Sequence, residues 1–156
     1  MPGAGNSLVT RYLVMLLMVV AGAGIAFQAT INARLRESVT PATLAALISF
    51  VVGSVALTLV TASGLAGRVQ LGRVTQGPWW IWTGGLLGAL YVTAAVVAVP
   101  RVGAGVVIGA GILGQLVAAL ASDSLGWLGV SRVPLSLGRV VAALLLLAGA
   151  WLMQRG

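Results

Sequence analysis

"YLVMLLMVVAGAGIAFQATINA", residues 12–33, contains no charged side chain. Wound as a helix rising about 1.5 Å per residue, it is long enough to cross the hydrocarbon of a bilayer, roughly 30 Å, which takes about 20 residues. Three more charge-free stretches, 38–67, 74–100 and 102–122, meet the same condition. A fifth, 140–153, is shorter and follows Arg139. An arginine can bury its methylenes and hold its head at the interface, so this helix is expected to begin near Pro134 with Arg139 snorkelling. The expected fold is all-α, a single polytopic membrane domain of five transmembrane helices near 8–33, 41–62, 78–99, 102–121 and 134–153.

Composition agrees with that solvent. Of 156 residues, 60% are hydrophobic and 7% charged, and the mean hydropathy is +1.10. A soluble domain is closer to one quarter charged, so little of this chain is left to form a water-facing domain. A cleaved signal peptide is the competing reading of the first run, because Arg11 precedes it and small residues follow at Ala21 to Ala23. The run nevertheless continues to Ile31, about twice the usual apolar length, and further spans follow.

Cysteine and histidine are both absent, which removes disulfides, thiolate metal sites and imidazole catalysis. No phosphate-binding glycine loop, nucleophile elbow or zinc-protease helix occurs. An enzyme would have only Glu37 and Asp123 as carboxylates and no lysine. The sequence therefore predicts a protein that is not an enzyme and uses no cofactor or metal.

The net charge of +7 rests on nine arginines scattered singly through short connectors. That pattern suits anchoring to lipid headgroup phosphates better than a nucleic-acid surface. With five spans, Arg11, Arg68, Arg73, Arg132 and Arg139 share one side, and Arg34, Arg36, Arg101 and Arg155 the other. Orientation follows an excess of basic residues on the cytoplasmic side. Five against four leaves open both a fixed orientation and insertion both ways up, with two copies pairing antiparallel.

Glycines at helical spacing suggest close packing. Gly84 and Gly88 are four apart, as are Gly105 and Gly109, and small residues let backbones approach where apolar burial alone gives helices little reason to associate. Thr40 and Pro41 read as N-cap and first residue of the second helix. Pro78 reads as the opening of the third, followed by Trp79, Trp80 and Trp82 as an interfacial belt. Pro100 reads as the close of the third helix against the fourth. No internal repeat is visible, whereas many transporters contain two inverted copies of one unit. A single five-helix unit would need a second chain to complete that symmetry.

Several segments together resemble a known family. They are "GAGIAFQATINARLRE", "ALISFVVGSVAL", "PWWIWTGGLLGALYVTAAVVAVPRVGAG", "GQLVAALASDSLGWLGV" and "LGRVVAALLLLAGAWLM". They look like the successive segments of the five-helix DUF606 or YdcZ-type proteins of the drug/metabolite transporter superfamily, collinear from about Val20 to Met153. The resemblance implies a multi-pass transporter of the bacterial inner membrane, with a bundle like that of the small multidrug-resistance proteins. Related families occur as dual-topology homodimers, as paired genes and as fused ten-helix chains. An antiparallel homodimer is thus the expected partner arrangement, with membrane lipids and a small solute as the other partners.

The candidate site is polar and uncharged. Gln28 and Asn32, four apart, share one helix face, and an amide left unpartnered in lipid is unfavourable, so this face should meet protein or water. Gln115 is the other amide deep in a span, and Ser49, Ser54 and Tyr91 add neutral polar groups. These side chains either line a cavity that binds solute or bond one another as polar glue.

Small multidrug-resistance relatives carry a glutamate in the first helix that exchanges protons for cations. Here Glu37 and Asp123 are both expected in connectors, which speaks against carboxylate-coupled cation export. Arg34 is the candidate contact for an anionic group, with snorkelling to headgroups as the competing role and Glu37 as an ion-pair partner of Arg34 or Arg36. The expected function is transport of a neutral, amphipathic or anionic organic solute by alternating access. The alternatives are a non-transporting assembly or lipid-binding subunit, or one half of a heterodimer.

Overall fold

A computed structural model describes residues 4–65, 67, 72, 77–129 and 131–155. Arg68 and Arg73, counted above in the second connector, lie outside the described residues. Among the described residues five α-helices follow in order: α1 (Ala4–Ser38), α2 (Ala42–Ala62), α3 (Gly84–Val102), α4 (Ala104–Leu125) and α5 (Leu137–Arg155). No strand occurs among the described residues. Four helical segments are long and apolar enough to span a membrane, the third counted from Trp79; Leu137–Met153 is a shorter apolar helix.

The boundaries depart from expectation in instructive ways. α1 has 35 residues, about 52 Å of helix against roughly 30 Å of hydrocarbon. Glu37 therefore falls in the last turn of α1, not in a connector. Pro41, not Thr40, is the N-cap of α2, and its carbonyl accepts from the Leu44 N–H at 2.9 Å. Pro78 opens a 3-10 turn over Trp79–Thr83, and the α-helix proper starts only at Gly84. Short 3-10 turns are common where a helix begins. Pro100 lies inside α3, and the chain breaks at Gly103, whose φ of 81° an L side chain rarely adopts.

The chain forms two compact units, residues 1–100 and 101–156. In the first, the buried core among the described residues is small: Ala29 and Ala33 of α1, Ala45 and Ala46 of α2, and Ala95 and Val96 of α3, together with the polar residue Asn32. Alanine does here what glycine was expected to do, allowing helices to approach closely in lipid. Outward faces of α1 and α2 carry exposed Leu, Val, Met and Phe, as lipid-facing helices require.

In the second unit α4 and α5 pack against each other. A side chain begun at Gly105 would meet the Met153 methyl at 2.9 Å, and one at Gly109 the Ala150 methyl at 3.5 Å. α4 runs to Leu125 and closes on Gly126 at φ 68°, so Asp123 belongs to its last turn, not to the following connector. Asp123 accepts from Arg139 Nη1 at 3.1 Å. Arg139 is thereby paired within the protein, where snorkelling to headgroups was expected. α5 starts at Leu137, three residues later than the expected Pro134, because the Ser136 hydroxyl accepts the Arg139 N–H at 3.3 Å and caps the helix.

Candidate functional site: a polar row on the first helix

Gln28, Asn32 and Arg36 follow one another at intervals of four along α1, which places them in one row on the same side of the helix. Ala29 and Ala33 flank the row and bring α2 close. Asn32 is only 3% exposed, and its environment must therefore satisfy it. It does so through Ser49 of α2, whose hydroxyl oxygen accepts from Asn32 Nδ2 at 3.2 Å and from Gln28 Nε2 at 3.3 Å. One hydroxyl thus gathers two amides from the neighbouring helix. A serine oxygen has two acceptor positions and one proton to donate. Both acceptor positions are engaged; the Ser49 O–H, the second N–H of each amide and the two amide oxygens are not used in these bonds.

The third member of the row reaches α3. Arg36 Nη1 points at the backbone carbonyl of Val96, 3.5 Å away, the outer limit of a hydrogen bond. That carbonyl needs a donor for a local reason. In an α-helix it would accept the N–H of residue 100, and Pro100 has none. Val96 is fully buried, so no water replaces the missing bond.

Arg34 is placed differently from the expectation that made it the anion contact. Its side chain is 79% exposed and pairs with Glu37, itself 61% exposed. Two residues, about 200° of helix rotation, separate the two roles: Arg34 turns outward, and Arg36 turns to the side occupied by Asn32. Glu37 is engaged by Arg34 and Asp123 by Arg139. The chain's two acidic side chains are both engaged elsewhere, leaving Arg36 with a neutral carbonyl as its hydrogen-bond acceptor.

Between them, α2 and α3 border an open groove of about 520 Å³ lined by Thr43, Leu44, Ala46, Leu47, Phe50, Ala89 and Thr93, with no residue of α1, Arg36 included, in its lining. Gly88 borders it, since a side chain there would meet the Phe50 ring at 3.4 Å. Gln28, Asn32, Ser49 and Tyr91 do not line it. Tyr91 is half-buried on α3, and Ser54 is exposed on α2. Gln115 is exposed on α4 in the second unit. Gly84, expected in helix packing, has open space where its side chain would be.

Of the sequence-derived candidates, the structure brings together Gln28, Asn32 and Ser49. Arg36 and the groove were missed. The signal for Arg36 was available, since continuing the spacing from Gln28 to Asn32 by one more step of four reaches it.

A family model described as "Putative inner membrane exporter, YdcZ" matches residues 13–152. The "Inner membrane protein YdcZ" of Escherichia coli strain K12 is 31% identical over 145 residues, covering 92% of this chain and 95% of that protein. No solved structure matches.

Proposed function

Because the chain belongs to the YdcZ family of inner membrane proteins, we propose that it is a small transporter working as an inverted homodimer, which moves a neutral, amphipathic or anionic organic solute by alternating access. The observation that carries this reading is the amide cluster. Asn32 and Gln28, buried and half-buried between two membrane-spanning helices, converge on Ser49 beside a groove of drug-sized volume. Polar side chains at such depth mark solute pathways more often than lipid-facing surfaces.

Inversion is supported by the near-even distribution of arginines and by the absence of an internal repeat. Two copies related by an axis in the membrane plane would present one site alternately to either side, since exchanging the two conformations exchanges inside and outside. Multi-pass insertion in the inner membrane follows from family membership and from the apolar helices.

The native chain lacks cysteine, so a single Cys added after Gly156 reports orientation cleanly. Intact cells are labelled with a membrane-impermeant maleimide and compared with lysed cells. Labelling of about half the protein from outside is the expected result. All-or-none labelling ends the inverted homodimer and leaves an oppositely oriented partner chain as the route to the same symmetry. Solute-dependent flux in proteoliposomes, lost in Gln28→Ala, tests transport itself; absence of flux across a broad solute panel would instead indicate an assembly or lipid-binding subunit.

A further inference from the structure

We propose that Arg36 is an anion-recognition residue, and that with the groove between α2 and α3 it binds a soluble amphipathic organic carboxylate. The inference rests on the transporter reading and narrows its solute class.

Three observations converge. First, Arg36 is half-buried on the inward row of α1, and neither acidic side chain of the protein is paired with it, Glu37 being held by Arg34 and Asp123 by Arg139. A guanidinium presents five N–H donors in a planar fork, and a single carbonyl at 3.5 Å engages only one nitrogen. A half-buried cation with open donors and no counter-ion among the described residues favours an anion that supplies two oxygens in one plane, which a carboxylate does.

Second, the groove supplies the other half of an amphipathic ligand. Thr93 on its wall lies one turn from Val96 along α3, so the groove reaches the level of the carbonyl that Arg36 touches. Its lining is Leu44, Leu47, Phe50 and Ala89, with hydroxyls only at Thr43 and Thr93. Third, about 520 Å³ lies in the range of pockets that hold drug-sized molecules. An apolar body in the groove with its carboxylate at Arg36 satisfies both halves, and the amides of Asn32 and Gln28 lie on the same row beyond the guanidinium.

The test measures binding, so it is independent of transport and of orientation. Full-length protein in neutral detergent is melted while tryptophan fluorescence is followed, with benzoate as the anionic probe, benzamide as its neutral counterpart, and phosphatidylglycerol against phosphatidylcholine as the lipid arm. Benzoate is expected to raise the midpoint saturably and benzamide not. Arg36→Gln should weaken the benzoate response at least tenfold, and Arg34→Gln should leave it intact.

Because Arg36 also braces the Val96 carbonyl, the comparison is repeated with Pro100→Ala, which restores a backbone N–H at residue 100 and relieves Arg36 of that duty. Loss of the benzoate response with Arg36→Gln in the Pro100→Ala background supports the proposal. An unchanged response there overturns it. A midpoint raised by phosphatidylglycerol but not by benzoate also overturns it, assigning Arg36 to a lipid headgroup. If benzoate binds through Arg36 but no solute crosses the membrane, this site stands and the transport reading falls.

Discussion

Arg36 on α1 offers the hydrogen bond that Pro100 on α3 withholds: the Val96 carbonyl, deprived of its partner in the helix, receives the guanidinium across the helix interface. A proline within a membrane helix is tolerated when a neighbour satisfies the freed carbonyl. Here that neighbour is also the unpaired cation of the polar row, so one side chain joins the packing of the first unit to its electrostatics.

Arg36→Gln and Pro100→Ala should therefore be coupled. The arginine substitution is expected to destabilise the native chain by about 1 kcal/mol and to have a smaller effect once residue 100 carries its own N–H. A double-mutant cycle on unfolding in mixed detergent micelles measures the difference, and additive effects would show that the 3.5 Å approach contributes nothing.

Ser49→Ala removes the one oxygen on which two amides converge. Loss of stability should be around 1 kcal/mol per unpaired amide, tempered by whatever partners the unfolded chain finds in the micelle. Gln28→Ala should perturb stability less than Asn32→Ala, because Gln28 retains access to the surface while Asn32 is buried. Equal losses at the two positions would contradict this ordering.

The two glycines of α4 are not equivalent. At Gly105 a methyl group meets only the flexible end of Met153, so Gly105→Ala should change stability by no more than about 0.5 kcal/mol. Gly109→Leu would drive a branched side chain into Ala150 and should destabilise by about 1–3 kcal/mol. Cysteines introduced together at Gly109 and Ala150 should cross-link readily in the native chain, and failure to cross-link would contradict this approach.

The Asp123–Arg139 pair is about one third exposed on each side chain. Asp123→Asn should lower stability by less than about 1 kcal/mol, and the loss should shrink at high salt. A large, salt-independent loss would mean that this carboxylate is buried in the assembled protein.

Much of the fold was legible because charge-free length is a coarse and reliable signal: five apolar runs gave five helices, and a row of two amides marked the interface of α1 with α2. What sequence hid was phase and partnership. Arg34 and Arg36 are chemically alike, and only the continuation of the row beyond Asn32 separates the outward one from the inward one. Pro100 was read by its usual habit of ending helices, a reading that fails when a donor from another helix replaces the missing N–H. The alanine interfaces escaped because alanine is equally at home facing lipid, and Gly84 drew attention although its neighbourhood is open. Asp123 and Glu37 were placed in connectors since charges mark the ends of apolar runs, whereas helices continue through the interface as long as their backbone bonds allow.

The surplus length of α1 makes orientation visible as shape. With 35 residues the helix exceeds the hydrocarbon by about 20 Å if upright, and the apolar run between Arg11 and Arg34 fixes which turns remain inside. The surplus is divided: the turns before Arg11 extend about 10 Å on one face, and the shorter stretch from Arg34 to Ser38 about 7 Å on the other. A pair of copies inserted alike would raise both of the longer, amino-terminal ends on one surface. An inverted pair would raise one on each, so height imaging of both leaflets of a reconstituted membrane distinguishes the assemblies without any chemical label.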